Sequence, residues 1–565
     1  MRKLATAVAL FCGCSVGLVS VAQGQGRGGG SWSTAGGDTQ LSGWQKAEPR
    51  LTRANVKQMK YLWKIKLGSQ PVTQPSEPLF GGHTLGADGF KDMALVLGPG
   101  GTLSNVDFEL GKLLWQRQLG DANAKPGAAC SNGQLSAMVI QPPRSFTNPV
   151  ARGAGGGSAG GGRGAAPAAA VVPAPAPVLP AFAAPRVGGN LITAGVFAEL
   201  RGIFVVTGDG TLHEQALTNG WDYGTPVKFT PPGADLGSPK MVGTMIYATA
   251  NGSCAPDSAG AYAMDMKTDA YDKVAYSGVS ITGTDGGALS NDNKTLYVTT
   301  GSGSGDAHAN GVVALDAATM QVKDYFTPSG ADAKTNINIS PVVFAYKGRD
   351  LVAAYVAGGR LALLDSASLG GPDHHAALAI SAPISKDAGA SSWGRLASAA
   401  DSTGARFIYV SVRGALATGA KLPAGNGAVT SGAVIAFKVT DENGGVALTP
   451  VWVSPNIANP SPATIVMNTA SLAAGGFGGA AAAAPATPPP AVEPGGLVFV
   501  LAQGGAAAHA KLYALDAETG TPVFTSGEEL ASSATMASLS LSGAHVLFLT
   551  SDNTLYSYGI EYEKN

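Results

Sequence analysis

The chain has 565 residues and a formal net charge of −1; 13% of its residues are charged, and it contains 79 Gly and 35 Pro. A globular chain usually carries about a quarter charged residues, so this composition favours many short strands and tight turns over long charged helices. The near-zero charge offers no attraction for nucleic acid or an anionic membrane.

The N-terminus reads as an export leader. Met1-Arg2-Lys3 is a short basic region, Leu4 to Val21 is mostly apolar and small, and Ser20-Val21-Ala22 is a small-x-small cleavage site before Gln23. The expected signal peptide is therefore 1–22 and the mature chain 23–565, in the periplasm or secreted. Lipidation at Cys14 is the lesser alternative, because Phe11-Cys12-Gly13 before it fits a lipobox poorly. No later window approaches ~18 uninterrupted apolar residues, so no transmembrane span is expected after cleavage. Cleavage leaves Cys130 and Cys254. In an oxidising compartment they are expected to form one disulfide, which closes a long loop worth roughly 4–5 kcal/mol. No CxxCH occurs, so no c-type haem is expected.

After a Gly-rich coil come WSTAGGDTQLSGW (Trp32 to Trp44) and LTRANVKQMKYLWKIKL (Leu51 to Leu67). Asn55 to Met59 suggests a short helix, and Tyr61 to Leu67 alternates as a strand carrying Trp63. That strand precedes every complete repeat and is expected to close a ring by pairing with the C-terminal strands. The clearest repeat is KLYALDAETGTPVF, Lys511 to Phe524. An apolar strand leads into a turn in which Asp516 accepts backbone N–H groups and Gly520 takes a positive φ. A second strand follows. The pattern recurs at Asn105 to Trp115, Leu212 to Gly220, Ala261 to Tyr276, Val312 to Phe326, Leu361 to Gly371, Val434 to Gly445 and Leu555 to Tyr562. Asp265, Asp316 and Asp365 fall about 50 residues apart, a propeller-like period. Asp107 holds the matching place in the first repeat. Length alone would suggest several domains, but one ring of repeats accounts for it. Two low-complexity insertions, 151–186 and 472–494, cannot bury a core and are expected to be mobile loops.

These repeats resemble the tryptophan-docking repeats of the quinoprotein (PQQ-dependent) alcohol dehydrogenase superfamily, approximately A-x-D-x-x-T-G-x-x-x-W. The opening from Trp32 resembles that superfamily's W-x-x-x-G-G-D…L-x-x-x-N-V-x-x-L-x-x-x-W. The resemblance implies an all-β fold: a single eight-bladed β-propeller of four-stranded antiparallel blades, closed by the N-terminal strand. Trp63, Trp115 and Trp452 are expected to fill the wedges between blades, with Phe326 and Phe524 as substitutes.

The resemblance also implies where a quinone site would lie. A catalytic member holds a flat, polyanionic quinone with Ca²⁺ or a lanthanide, using hard oxygen ligands, a cation near the quinone oxygens and a carboxylate base. This chain departs at each position. Adjacent cysteines are absent. The metal-ligand glutamate is missing from Val205 to Leu212, where Asp209 is the nearest carboxylate. Thr299 to Gly311 lacks the Asn-Pro pair and tryptophan, and offers Asp306 and His308 instead. The place of the catalytic aspartate holds Thr335 or Asn336, and the basic position is Ala357, with Arg360 close by. Asp306 and His308 are thus the candidate catalytic residues, and Asp209 and Arg360 the candidate cofactor ligands. Asp285 in GTDGG reads as a turn residue. Asp373-His374-His375 reads as a surface loop, since adjacent strand residues point to opposite faces.

Three functions follow as expectations. The first is an exported quinoprotein-like propeller with a degenerate or diverged quinone site, acting as a binding or scaffold module for a small molecule or an envelope protein. The second is an active PQQ-dependent dehydrogenase for an alcohol, polyol or sugar. The third is an outer-membrane assembly factor similar to BamB.

Overall fold

The computed structural model describes residues 32–48, 50–86, 89–120, 136–141, 202–266, 273–301, 308–329, 338–386, 393–442, 444–467, 495–504 and 508–561. The expected leader 1–22 with Cys14, the insertions 151–186 and 472–494, Cys130, Asp306, Thr335 and Asn336 lie outside them.

Eight four-stranded antiparallel sheets form the blades of one propeller. Blade 1 spans Leu79–Gly86 to Lys112–Gln118, blade 2 Ala137–Ile140 to Val227–Lys228, blade 3 Lys240–Val242 to Lys273–Ser277, and blade 4 Ala288–Leu289 to Val322–Phe326. Blade 5 spans Val342–Tyr346 to Ala379–Ile380, blade 6 Ala397–Ala400 to Gly445–Val453, and blade 7 Thr464–Met467 to Pro522–Thr525. Blade 8 takes three strands from the C-terminus, Leu539–Ser542, His545–Leu549 and Thr554–Gly559, and its fourth, Lys60–Lys66, from the N-terminus. Tyr61 lies opposite Tyr558 and Ile65 opposite Leu555. The expected closure strand is in place. The short helix expected over Asn55 to Met59 is a single 3₁₀ turn, Val56–Gln58. Among the described residues no helix is long and apolar enough to cross a membrane.

The first strand of each blade lies beside the first strand of the next around most of the ring, so these strands line the axis. Their near-continuous burial follows from their sequence: Val342-Val343-Phe344 and Ile465-Val466-Met467 are apolar on both faces because both faces pack on neighbouring blades. A two-stranded parallel bridge, Asn338–Ser340 with Trp393–Arg395, joins the entries to blades 5 and 6.

The repeat is a docking device. In blade 7, Asp516 Oδ1 accepts the amides of Glu518 (2.9 Å) and Thr519 (3.1 Å). Asp316 does the same for Ala318 (3.1 Å) and Thr319 (3.0 Å). Asp107 accepts from Leu110 and Asp365 from Ala367, while Asp265 accepts from the Thr244 hydroxyl. The turn so fixed receives an indole from the preceding blade. Trp452 donates Nε1–H to the Ala517 carbonyl (2.8 Å) and lies over Gly520, whose φ is +71° and where a Cβ would sit 2.4 Å from the ring. Trp115 docks likewise on Leu217 and Gly220, and Trp63 on Phe108 and Gly111. Trp63 therefore latches blade 8 to blade 1. Phe524 takes the tryptophan register in blade 7, opposite Ala514. Phe326 does not. The corresponding position in blade 4, opposite Ala314, is Asp324, which binds the Leu369 amide and His374 of blade 5. Phe326 is buried in the core instead.

Candidate functional site

The opening segment does more than precede the closing strand. From Trp32 to Gln45 it runs around the axis and bonds to the entry or innermost strand of every blade in turn. Trp32 pairs with Phe80 of blade 1, and the Ser33 carbonyl accepts from Ile140 of blade 2 (2.8 Å). The Thr34 hydroxyl donates to Pro239 at the entry to blade 3 (2.8 Å). The carbonyls of Thr39, Gln40 and Ser42 accept from Leu289, Val343 and Ser398 of blades 4, 5 and 6. Gly43 and Gln45 bond Ile465 of blade 7, and the Gln45 side chain reaches Leu541 of blade 8 (2.6 Å). The inner strands present backbone groups to the channel that need partners, and this strap supplies them. Asp38 shapes its bend by accepting from the Ser42 amide (2.9 Å) and hydroxyl (2.6 Å) and from Lys46 (3.0 Å).

Against the strap lies a buried charged cluster. Arg395 Nη1 donates to Glu77 Oε2 (2.6 Å) and to Asp285 Oδ2 (2.7 Å), with none of the Arg395 side chain exposed. Glu77 Oε1 accepts from Trp32 Nε1 (2.5 Å) and the Gly36 amide (3.0 Å). Lys240, also buried, donates to the carbonyls of Ser238 (3.1 Å) and Asp285 (3.0 Å). Glu77 enters blade 1, Lys240 begins blade 3, Asp285 enters blade 4 and Arg395 enters blade 6. Side chains from blades so far apart in the ring meet only at its axis. Burial works against the Arg395 charge, but Glu77 and Asp285 outweigh it and raise its pKa. Burial pushes the Glu77 carboxyl up against the opposing pull of Arg395, and lowers Lys240 to about 8. Gly36, at φ +77°, is required here: a Cβ would come within 3.0 Å of Arg395 Cδ.

The quartet contains two cations and two anions. Among the described residues, no three His, Cys, Asp or Glu side chains converge to hold a metal ion.

The residues singled out from sequence fall elsewhere. Asp209 sits in an exposed turn of blade 2, bonded to Thr207 (2.7 Å), Thr211 (2.7 Å) and Lys228 (2.8 Å). Burial would raise its pKa, yet the bonds from Lys228, Thr211 and Thr207 hold it well below the usual carboxylate range. Arg360 begins the third strand of blade 5 and donates to the Ser381 carbonyl (3.0 Å). His308 packs beside the outer strands, 3.1 Å from the Tyr276 hydroxyl and edge-on to Tyr325. His374 stacks on Tyr325 at 3.9 Å and pairs with Asp324, while His375 turns to the Thr327 carbonyl. The two histidines share no partner among these contacts. Cys254 is disulfide-bonded. Glu77, Lys240 and Arg395 were not singled out, and Asp285 was read as a turn residue. A signal was available: each charge sits at or just before the apolar innermost strand of a blade, in SEPLF, SPKMV, TDGGAL and WGRLAS.

No family model and no curated protein matches the chain. Solved structures do. The chain is similar to the quinohemoprotein alcohol dehydrogenase of Comamonas testosteroni, with a TM-score of 0.54 and 11% identity over 95% of this chain and 81% of that one. The quinohemoprotein alcohol dehydrogenase ADHIIG of Pseudomonas putida HK5 gives 0.54 and 12%, over 94% and 80%. A europium-containing methanol dehydrogenase gives 0.50 and 10%, over 94% and 98%. The chain thus has the eight-bladed PQQ-type propeller fold; identities this low speak to the fold alone.

Proposed function

We propose that this protein is an exported quinoprotein-like propeller whose quinone site has been remodelled into an internal ion-pair network, and that it works as a binding or scaffold module. The observation that carries this reading is the Arg395–Glu77–Asp285 cluster. Glu77 and Asp285 already share Arg395, and Lys240 balances the remaining charge. A polyanionic quinone needs cations to spare, and Ca²⁺ or a lanthanide needs clustered hard oxygens. The quartet suits neither, so no redox step is assigned. Export is supported by the leader at 1–22 and by the bonded state of Cys254.

Calorimetric titration of the mature chain with PQQ, plus Ca²⁺ or a lanthanide, tests this. No saturable heat and no dye reduction with alcohols or sugars is the expected result. Submicromolar, metal-dependent binding with dye reduction would instead establish an active dehydrogenase.

A further inference from the structure

Besides Nε and Nη2 of Arg395 itself, three buried N–H groups on or beside the Trp393–Arg395 bridge strand have no acceptor among the described residues: Trp393 Nε1, Arg413 Nε and Gln503 Nε2. They belong to one contact group. Arg413 ends the second strand of blade 6, Arg406–Arg413, and lays its guanidinium over the Trp393 ring, 5.2 Å from the centroid. Its Nη2 donates to Gln503 Oε1 (2.5 Å), just beyond the second strand of blade 7. That oxygen also accepts the Met536 amide (3.0 Å). Two donors on one atom fix the amide's orientation and leave Nε2 as its unsatisfied end. Trp393 is 7% exposed and Gln503 2%, whereas Arg413 is only half-buried and gives access from solvent. Burial lowers the Arg413 pKa to about 10, and no carboxylate pairs with it among the described residues.

Buried donors without acceptors are costly, and more so for a charged group. Every unsatisfied group in this cluster is a donor, and the one formal charge is positive. An occupant must therefore bring acceptors only, and one negative charge. A hydroxyl or ammonium compound fails one or both conditions. A carboxylate meets both, since its two oxygens accept at about four sites and a charge-assisted bond to guanidinium is roughly twice as strong as a neutral one. We propose that Trp393, Arg413 and Gln503, at the junction of blades 6 and 7, form a binding site for a small organic carboxylate. The site is separate from the axial quartet, whose Arg395 is engaged by Glu77 and Asp285, and it does not depend on how the quinone question is answered.

The test is calorimetric titration of the full mature chain with sodium acetate, lactate and benzoate at constant ionic strength, with sodium chloride as control. Saturable 1:1 binding by at least one carboxylate, and none by chloride, is expected. R413Q should weaken it at least tenfold, and Q503E, which sets a like charge at the site, should do the same. W393F keeps an aromatic ring but removes the N–H, and should weaken binding about threefold. If R413Q fails to fold, Q503E and W393F still decide the matter. No saturable heat with any of the three, or an affinity unmoved by these substitutions, overturns the proposal.

Discussion

Arg395 places both of its carboxylate partners on one nitrogen, and its Nε and Nη2 have no acceptor among the described residues. Its charge therefore depends on Glu77 and Asp285. Replacing one partner of a buried pair leaves an uncompensated charge and typically costs about 3–5 kcal/mol. E77Q should lower stability by about that amount at pH 7, read as a fall in the urea midpoint at unchanged m-value. A loss below about 1 kcal/mol, the range of exposed pairs, would mean that solvent reaches the cluster. This network was barely legible in the sequence. Glu77 and Arg395 lie 318 residues apart, and their meeting depends on ring closure. Asp285 resembled any Gly-flanked turn residue until its partner was in view. Asp209, by contrast, looked like a ligand because of spacing alone, while its oxygens are taken up by Thr207, Thr211 and Lys228.

The blade was the most legible unit, because its turn chemistry is local. Asp516, Thr519 and Gly520 lie within one turn; the Asp–Thr pair recurs at Asp316 and Thr319, and the Asp–Gly pair at Asp107 and Gly111. Which aromatic fills each wedge was less readable. The β-bulge beside Ala314 places Asp324, not Phe326, in the docking register, and one residue of slip changes the face a side chain presents. The Trp452–Gly520 contact tests whether docking itself holds blade 6 to blade 7. G520A combines a left-handed φ with a clash against the indole, at about 2–4 kcal/mol. W452A removes a buried ring, at about 3–5 kcal/mol. Without the indole the new methyl group meets no ring, so the double variant should cost less than the sum by at least about 1 kcal/mol. Urea unfolding of all four chains gives that coupling. Additivity within about 0.5 kcal/mol would show that the glycine serves the turn and not the tryptophan.

At the scale of the ring, the two ends of the chain are joined in one blade and by one strap. Lys60–Lys66 covers the edge of Thr554–Gly559, Trp63 reaches on to blade 1, and the strap touches all eight blades. The closing strand could be anticipated from its position before the first repeat. The strap could not, because its polar, Gly-rich sequence carries no strand pattern, and its bonds are made mostly by backbone. These contacts join residues 32–67 to the C-terminal blade, so they are available only once every blade is made. A chain lacking residues 1–67 should therefore retain blades 1 to 7 but present the outer edge of Thr554–Gly559 unpaired, a template for association. It should run as dimers or larger species by light scattering, with fast amide exchange in Thr554–Gly559. A peptide of residues 32–67 added in trans should restore the monomer and protect those amides. Removing only residues 1–44 separates the two devices, since it spares the edge strand and takes most of the strap. That chain should stay monomeric but lose the Trp32 and Gly36 bonds to Glu77, and be destabilised through the axial cluster. A monomeric chain of undiminished stability after the longer deletion would mean that neighbouring blades hold the ring without a closing strand.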